Sequence, residues 1–356
     1  MSAGIFSGKR VLITGGTGSL GRTLVRRLLA DELGRPDRVT VMSRDEAKQY
    51  EMRLRFRGLA AATEEVIYTD VEKRLHFRIG DVRDPAALVS ALRDADVVVN
   101  AAALKQVPSC EYFPEEAIAT NVRGAENIVR AIEQHDLPVE TVVCVSTDKA
   151  CKPVNVMGMT KALQERVFIA ANLRRPATRF IVVRYGNVLA SRGSVVPLLH
   201  SQIRAGGPVT LTTPTMTRFM LSLDQAVDTI AAACRSARPG ECWVPRVPAS
   251  SIATLVRALI DGRDIPIVEV GVRPGEKVHE VLVSEEEANR TSARDGHYVI
   301  RPLLPELTDA AVQAPPTLHA EYSSATDVLD LEATKALLRA HRLTLDDAPD
   351  FRTMFG

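Results

Sequence analysis

The sequence has few aromatic residues and no excess of charge of either sign. Aromatic residues make up 4% of the 356 residues, whereas apolar residues make up 46%, a composition typical of an aliphatic-rich α/β protein. Lys and Arg number 45 against 44 acidic residues, which argues against binding to nucleic acid or to an anionic membrane. Any anionic ligand must therefore be bound by a local cluster of residues.

Cysteine is also scarce, and long apolar runs are absent. The five cysteines are odd in number and lack the paired spacing of a zinc site, which favours reduced thiols in the cytoplasm. The N-terminal segment MSAGIFSGKR contains no apolar run of signal-peptide length. No stretch reaches the roughly 18 continuous apolar residues of a spanning helix. We therefore expect a soluble, cytoplasmic protein without a membrane span or a metal site.

Short β-branched runs alternate with longer amphipathic stretches in the first part of the chain. Strands are predicted at 10–14, 38–42, 75–79, 96–100, 141–146 and 179–185. Helices are predicted at 19–32, 84–93, 116–134 and 157–173. The alternation indicates a Rossmann-type α/β fold, a doubly wound parallel sheet, in residues 1–190.

The pattern changes after about residue 190, where Pro and Thr accumulate. Helices at 223–237 and 251–262 and a strand at 266–270 are predicted there. They indicate a smaller, substrate-binding lobe in residues 191–356, some segments of which can interleave with the first domain.

The first chemical motif is GGTGSLG, which follows a predicted strand and opens a helix. Gly15, Gly18 and Gly21 give the spacing GxxGxxG. Glycine permits a tight turn and close approach of the backbone to a pyrophosphate, whose charge is met by free N–H groups at the helix N-terminus. A purely structural turn is the alternative, but this context favours dinucleotide binding. The predicted contacts are Gly15, Thr17, Gly18, Ser19, Leu20 and Gly21.

The residues after the second strand bear on the choice between NAD and NADP. Many dinucleotide-binding folds place Asp or Glu there for the ribose hydroxyls, whereas this chain has Ser43 and Arg44. A hydroxyl and a guanidinium can hold a 2′-phosphate, which favours NADP. NAD stays an alternative because Asp45 and Glu46 follow, and Arg44 is otherwise a solvated loop residue. Further cofactor contacts are predicted at Asp81, Val82, Ala101, Ala102 and Ala103.

A polar cluster follows the fifth predicted strand. Ser146, Thr147, Asp148 and Lys149 are consecutive, and Lys161 opens a predicted helix. Groups at the carboxyl end of a strand project into the crevice where α/β sheets bind ligands. An elimination next to a ketone needs a base and an acid, and Asp148 and Lys149 can divide those roles. The alternatives are a surface ion pair for these two residues and an exposed helical position for Lys161.

Longer runs spread from residue 15 to about 288 resemble one enzyme family. The runs are GGTGSLG, SRDE, GDVRD, AAALKQVPSCEYFPEEA, STDKA, PVNVMGMTKA, RYGNVLASRGSVVP, MTRFMLSLDQAV and GEKVHEVLVSEEEA. They are similar to the UDP-N-acetylglucosamine 4,6-dehydratases of capsule and surface-glycan biosynthesis, which are extended short-chain dehydrogenases. The runs KQVPSCEY, FMLSLDQAV and EYSSATDVLDLEATKALL most resemble the soluble capsular enzymes that also invert C5.

This resemblance implies a mechanism and a set of roles. Hydride loss from C4 of a UDP-linked N-acetylhexosamine would be followed by removal of the C5 proton by Lys149. Asp148 would protonate the leaving 6-hydroxyl, and Thr147 would orient the sugar. Cys110 and Lys105 are candidates for reprotonation of C5, although Cys110 can equally be a buried filler. Further contacts are implied at Lys105, Asn121, Ser146 and Lys161 for the cofactor, and at Lys105, Asn187, Arg218, Arg273 and Glu276 for the substrate.

One position departs from the short-chain dehydrogenase pattern. The tyrosine of YxxxK is replaced by Met157, whereas Lys161 is kept. A methionine also occurs in a branch of the resembled family, so another group, Lys161 or Asp148 through a water, must take the C4 hydroxyl proton. The alternatives are a C5-retaining dehydratase, a UDP-hexose 4-epimerase and a non-catalytic cofactor-binding sensor. The resemblance also implies a homo-oligomer, such as a hexamer.

Overall fold

The fold is built on parallel strands, and the computed structural model describes residues 4–61, 73–189, 194–308 and 315–347. The strands are β1 Arg10–Thr14, β2 Arg38–Ser43, β3 Leu75–Ile79, β4 Val97–Asn100, β5 Thr141–Thr147, β6 Arg179–Tyr185, β7 Val209–Leu211, β8 Thr217–Phe219, β9 Cys242–Pro245, β10 Ala249–Ser251, β11 Ile267–Glu269, β12 Val281–Val283, β13 Thr291–Arg294, β14 His297–Ile300, β15 Tyr322–Ser323 and β16 Val328–Leu329.

Helices connect most of these strands. They are α1 Ser19–Leu29, α2 Glu46–Ala61, α3 Pro85–Leu92, α4 Val107–Tyr112, α5 Pro114–Ala117, α6 Gly124–Gln134, α7 Val156–Arg174, α8 Val195–Arg204, α9 Leu223–Ser236, α10 Ile252–Ile260, α11 Glu285–Ala288 and α12 Leu331–Ala340. A π-helical turn, Ile118–Arg123, joins α5 to α6, and 3₁₀ turns occur at Asp148–Ala150 and Pro305–Leu307. No helix of the described residues combines the length and apolar character that a membrane crossing requires.

Nine strands form the main sheet in the order β13-β14-β9-β6-β5-β4-β1-β2-β3. The strands from β3 to β9 in this order are parallel, whereas β14 and β13 are added antiparallel at one edge. The chain runs outward from β1 to β3 and then returns to β4 on the other side of β1. This reversal opens a crevice at the carboxyl ends of β1 and β4, where ligands of such sheets bind.

Helices cover both faces of the sheet because its strands are apolar on both sides. On one face, Leu24 and Leu28 of α1 and Ile230 of α9 pack against strand residues such as Ile13. On the other face, Leu88 of α3, Ile132 of α6 and Phe168 of α7 belong to a second buried cluster. A third cluster joins α8, α10 and α12 in the second lobe.

The predicted α/β fold and its six strands are confirmed, whereas the predicted end of the first helix is wrong. Helix α1 ends at Leu29 rather than at 32, since Asp31 adopts a left-handed φ of 58°. The stretch predicted as a helix at 116–134 is helical, but it includes the π-helical turn. Strands β9, β13 and β14 come from residues 191–356 and extend the main sheet, and the division into two domains with interleaved segments stays a prediction.

Candidate active site

The glycine-rich turn between β1 and α1 brings the backbone close to the end of β4. Gly15 has a φ of 65°, and a Cβ built on it would lie 2.7 Å from the Cα of Ala102. A Cβ on Gly21 would lie 2.4 Å from the carbonyl oxygen of Gly16. Side chains at these two positions would therefore collide with the backbone, which explains the glycines.

The N-terminus of α1 is left open for an anion. Helix α1 begins at Ser19, and Gly18 at its N-cap supplies no side-chain hydrogen bond. The first turn carries no acidic side chain, so the partial positive charge of the helix end is not neutralised there. The Gly18 N–H donates to the carbonyl oxygen of Gly15 over 3.0 Å, and binding of a phosphate by the N–H groups that follow it stays a prediction.

A cavity of about 580 Å³ extends from this turn over the ends of β2 and β3. Thr17 and Ser43 line it, and their hydroxyl oxygens lie 3.0 Å apart. Asp81 and Val82 lie at its far wall, after β3. A cavity of this size and position suits the adenosine half of a dinucleotide.

Arg44 and acidic groups share the end of the cavity next to β2 and β3. The Arg44 side chain is 52% exposed, and its Nη1 atom lies 3.6 Å from the Oδ2 atom of Asp81. Asp45 also lines the cavity and pairs with Lys48. Burial would raise the pKa of Asp81, but hydrogen bonds and charge from Arg83, with the charge of Arg44, hold that pKa below its ordinary value. A cation and carboxylates therefore lie side by side at this end of the cavity.

The loop after β4 forms another wall of the cavity. Ala102 and Ala103 line it, and Ala101 is half-buried at the end of the strand. Asn121 is fully buried in the π-helical turn, where its side-chain amide exchanges hydrogen bonds of 2.8 and 3.0 Å with the backbone of Leu104. Lys105 is exposed on the same loop. Asn121 thus holds the wall in place, and a direct cofactor contact by Asn121 or Lys105 stays a prediction.

Thr147, Asp148 and Lys149 lie where β5 ends and a 3₁₀ turn begins. The Thr147 hydroxyl donates to Oδ1 of Asp148 over 2.8 Å. The Lys149 ammonium donates to the same oxygen over 3.2 Å. Oδ2 of Asp148 is buried and has no hydrogen-bond partner among the described residues. The two side chains predicted to divide acid and base work are therefore in contact.

Two further charged residues reach this pair from the second lobe. Glu280 places its Oε1 atom 3.2 Å from Nζ of Lys149 and 3.8 Å from Nε of Arg218. Arg218 is buried, and its Nη1 atom donates to the carbonyl oxygens of Thr217 and Val278. We call Asp148, Lys149, Arg218 and Glu280 the crevice cluster. It is assembled from both halves of the chain.

The crevice cluster shifts the protonation of its own members. Burial would lower the pKa of Lys149, but the charges of Asp148 and Glu280 outweigh burial and raise it. Burial and the charge of Asp148 together raise the pKa of Glu280. The cluster therefore retains protons that isolated side chains would release.

Ser146 and Lys161 lie directly beneath the crevice and are bonded within the protein. Nζ of Lys161 donates to the carbonyl oxygen of Val145 over 2.6 Å and also contacts Gln164. Burial lowers the pKa of the Lys161 ammonium. The Ser146 hydroxyl donates to Glu165 over 2.5 Å. Lys161 is thus a buried residue rather than an exposed helical one.

Glu165 belongs to a second buried group of charges, which we call the arginine cluster: Glu165, Arg184 and Glu287. Arg184 donates to both carboxylates and to the carbonyl oxygen of Leu282, with distances from 2.7 to 3.1 Å. Burial would raise the pKa of Glu287, but the charge and hydrogen bonds of Arg184 lower it to about 2. This cluster ties β6 and α7 to α11.

Met157 occupies the place of the usual tyrosine and packs against Cys110. Both residues are buried in a small cluster with Ala117. The Cys110 thiol donates to the carbonyl oxygen of Leu104 over 3.7 Å, and burial raises its pKa. These contacts are those of a packed side chain, and a chemical role for Cys110 stays a prediction.

The predicted substrate contacts lie around the crevice at different depths. Asn187 follows β6, and its Oδ1 atom is buried without a partner within the protein. Arg273 is exposed on the loop before β12, whereas Glu276 is half-buried and its Oε2 atom has no hydrogen-bond partner. Asn187 and Glu276 thus each have a buried polar atom without a hydrogen-bond partner among the described residues, and substrate contacts by these residues stay predictions.

Comparisons with known proteins agree with this architecture. The profile of the polysaccharide biosynthesis protein family matches residues 11–302. The chain belongs to this family. A Campylobacter jejuni (subsp. jejuni serotype O:23/36, strain 81-176) protein named UDP-N-acetylglucosamine 4,6-dehydratase (inverting) is 39% identical over 316 residues, which cover 87% of this chain and 89% of the relative. The family resemblance predicted from the motifs is confirmed.

Other relatives of this polysaccharide biosynthesis protein have a different name or a solved structure. A Rickettsia akari (strain Hartford) protein named UDP-glucose 4-epimerase is 41% identical over 352 residues, which cover 96% of this chain and 97% of the relative. The crystal structure of Pen from Bacillus thuringiensis has a TM-score of 0.84 at 32% identity, covering 95% of this chain and 99% of Pen. The family thus includes relatives named as dehydratases and as epimerases.

Sequence reasoning missed two residues of this family member. Glu280 contacts Lys149 directly, and Lys277 donates to the carbonyl oxygen of Cys151 over 2.5 Å. Burial lowers the pKa of Lys277. Both residues belong to the run GEKVHE, in which the alternation of charged residues before β12 was the available signal.

Proposed function

We propose that this chain is a 4,6-dehydratase that converts UDP-N-acetylglucosamine to UDP-2-acetamido-2,6-dideoxy-L-arabino-hex-4-ulose, for capsule or surface-glycan biosynthesis. The observation that carries the proposal is the contact between Asp148 and Lys149 at the carboxyl end of β5. A 4-epimerase changes only C4 and has no use for an acid and base acting on C6 and C5. The 39% identical relative named as an inverting dehydratase supports the proposal.

The glycine turn, the open end of α1 and the adjoining cavity fit a nicotinamide dinucleotide. The turn would hold the pyrophosphate, and Ser43 with Arg44 would hold a 2′-phosphate, which favours NADP over NAD. When bound, the nicotinamide would supply a hydride acceptor for C4 of the hexose and a hydride donor for C6. Oligomerisation to a homo-oligomer, such as a hexamer, is part of the same proposal.

Residues of the crevice cluster would carry out the elimination. Once C4 is a ketone, the C5 proton is acidic, and Lys149 takes it as an amine. Asp148 protonates the 6-hydroxyl, which leaves as water. The Thr147 hydroxyl, bonded to Asp148, orients the substrate. Asp148 is also the better candidate for the C4 hydroxyl proton, because its Oδ2 atom is unpartnered while the Lys161 amine is bonded to Val145.

Inversion at C5 needs a proton donor on the face opposite Lys149. Lys105 is exposed on the loop after β4 and suits this role better than Cys110, which is buried and bonded to the backbone. Arg273 and Arg218 would bind the diphosphate, since guanidinium groups bind phosphate bidentately. Asn187 and Glu276 would bind the rest of the nucleotide sugar through their unpartnered atoms.

The deciding experiment is incubation of the protein with UDP-N-acetylglucosamine and NADP or NAD in deuterated water, followed by mass and NMR analysis of the product. We expect loss of one water, a 4-keto-6-deoxy sugar, deuterium at C5 and the L-arabino configuration. A product that retains the C5 configuration would contradict only the proposed inversion and would leave the proposed dehydration in place. Absence of turnover would contradict the dehydratase.

A 4-epimerase is the second candidate, because the Rickettsia akari relative carries that name. Its product would be the C4 epimer, with the same mass as the substrate and no deuterium at C5. The same sample therefore separates the two activities.

A further inference from the structure

Glu280 is a deeply buried acidic group that the proposed elimination does not use. Its side chain is 2% exposed, and its Oε1 atom lies 3.2 Å from Nζ of Lys149. Its Oε2 atom is buried and has no hydrogen-bond partner in the part of the chain that the structure describes. A buried carboxylate with an open oxygen next to an ammonium has an available place for that ammonium's proton.

The backbone around Glu280 holds the carboxylate in this position. The Glu280 amide donates to the hydroxyl of Ser324 over 2.9 Å, and the Ser324 amide donates to the Glu280 carbonyl over 2.8 Å. The Ser324 hydroxyl oxygen also lies 2.7 Å from that of Thr217 on β8. Glu280 is thus fixed by segments on two sides rather than placed on a mobile loop.

Several charged groups face the Glu280 and Lys149 pair from the elements around it. Asp148 lies on the 3₁₀ turn, Arg218 on β8 and Lys277 on the segment before β12. His279 is turned to Thr217, whose hydroxyl oxygen lies 2.8 Å from its Nδ1 atom. The negative charge of Asp148 opposes release of a proton from this pair to solvent, whereas the positive charges of Arg218 and Lys277 favour it.

We propose that Glu280 is a positioning residue that accepts the proton of the Lys149 ammonium, so that a neutral amine faces C5 of the substrate. The inference rests on the proposed function. Transfer of one proton from Nζ to the carboxylate converts an ion pair into two neutral groups. A neutral pair is favoured when a substrate excludes water from the crevice, since burial penalises separate charges.

The proton count closes over the elimination. The Lys149 amine removes the C5 proton and becomes an ammonium, while Glu280 holds the proton that it took from Lys149. Asp148 gives the proton taken from the C4 hydroxyl to the 6-hydroxyl as the C6–O bond breaks, and water leaves. Release of one proton from Glu280 to solvent then restores the ion pair with Lys149, and the proton added to C5 on the opposite face comes from another group.

The test is the pH profile of C5 deuterium exchange and of kcat in the full-length protein with its cofactor bound. In the native protein, the number of protons on the pair is constant between its two macroscopic pKa values, so the rate should be flat across neutral pH. In Glu280→Gln, Lys149 must lose its proton to solvent. We expect kcat to fall about 10²-fold near pH 7 and then to rise about tenfold per pH unit, with KM little changed.

Two further variants separate proton transfer from a packing effect. Glu280→Asp keeps a carboxylate, so its profile should stay flat at a lower rate, and it serves as the test if Glu280→Gln does not fold. Glu321→Gln removes an exposed carboxylate that pairs with Lys152 and should match the native protein. A reduced but flat profile for Glu280→Gln, an unchanged rate, or a rising profile for Glu280→Asp would overturn the inference. Absence of product from the native protein would instead overturn the proposed function.

Discussion

The crevice cluster and the arginine cluster are both buried groups of charges near the ends of β5 and β6, yet they differ in hydrogen bonding. In the arginine cluster, Arg184 donates to both Glu165 and Glu287. In the crevice cluster, one oxygen atom each of Asp148 and Glu280 has no hydrogen-bond partner within the described ranges of the chain. In each cluster one cation lies between two carboxylates. Arg184 lies between Glu165 and Glu287, and Lys149 lies between Asp148 and Glu280.

The difference teaches how a buried charge becomes useful for chemistry. Burial would raise the pKa of Glu287, but the charge of Arg184 and its hydrogen bonds lower that pKa to about 2, so this carboxylate stays ionised. The pKa of Glu280 is instead raised by burial and by Asp148. Full hydrogen bonding fixes the charge, whereas incomplete bonding lets a proton move.

The largest effect is expected from Lys149→Met, which removes the mobile proton of the crevice cluster. The variant should bind the nucleotide sugar and cofactor, yet lose C5 deuterium exchange and all 6-deoxy product. Asp148→Asn keeps shape but cannot donate an acidic proton, so the rate should fall about 10²- to 10⁴-fold. NMR of product formed in deuterated water measures both. A near-native rate for Lys149→Met would assign the elimination to other groups, with Lys161 and Lys105 examined next.

Arg184→Leu is expected to damage the fold rather than only the chemistry. It leaves Glu165 and Glu287 buried without their partner, and such a loss costs about 3 to 5 kcal/mol. Urea unfolding measures the change in the free energy of unfolding. Arg166→Leu, on the exposed side of α7, is the matched control and should change stability by about 0.5 kcal/mol or less. Equal losses for the two variants would remove the distinction between the clusters.

A fall in pH should change the stability contributions of Glu287 and Glu280 in opposite directions. The pKa of Glu287 falls from 4.5 to about 2 on folding. Its contribution is therefore present above about pH 4.5 and is lost as the pH falls toward 2, amounting to roughly 3 kcal/mol. Glu287→Gln should show less of this acid dependence. Because the pKa of Glu280 is raised, its contribution is instead lost as the pH rises, and Glu280→Gln should be at least as stable as the native protein at pH 7.

Urea titrations of the native protein, Glu287→Gln and Glu280→Gln between pH 2 and pH 7 check these signs. A strong destabilisation of Glu280→Gln at pH 7 would show that its carboxylate is held as an ion by its neighbours. The carboxylates of the two clusters would then both be ionised, and the clusters would differ only in their position.

The smallest effect is expected at Arg44, an exposed charged residue that belongs to neither cluster. Arg44 is half-exposed, and Arg44→Ala should weaken NADP binding by about 1.5 to 3 kcal/mol relative to NAD by removing a partner of the 2′-phosphate. Stability should hardly change, since exposed pairs such as that with Asp81 contribute little. Calorimetric titration with both cofactors gives the ratio. Equal losses for NADP and NAD would mean that Arg44 only supports the loop.

The sequence predicts the parallel half of the sheet and the glycine turn, because their signals are local. The run RVLIT followed by GGTGSLG contains a strand, a turn and a helix start within a few residues. The antiparallel addition of β14 and β13 depends on a register with β9 that no local pattern encodes. The contact between Lys149 and Glu280 likewise joins remote segments, so only the folded chain reveals it.

The π-helical turn Ile118–Arg123 constrains the number of residues in this stretch of the chain. A π-helical turn holds one residue more than the α-helical turn that it replaces. Removing a single residue here would restore regular α-helical geometry, but it would change which side chains of the turn face the loop after β4. Asn121 would then lose its place beside Leu104, and the loop after β4 would lose its tether. In this stretch, residue number is therefore as constrained as residue identity, and alignment gaps should avoid it in active relatives.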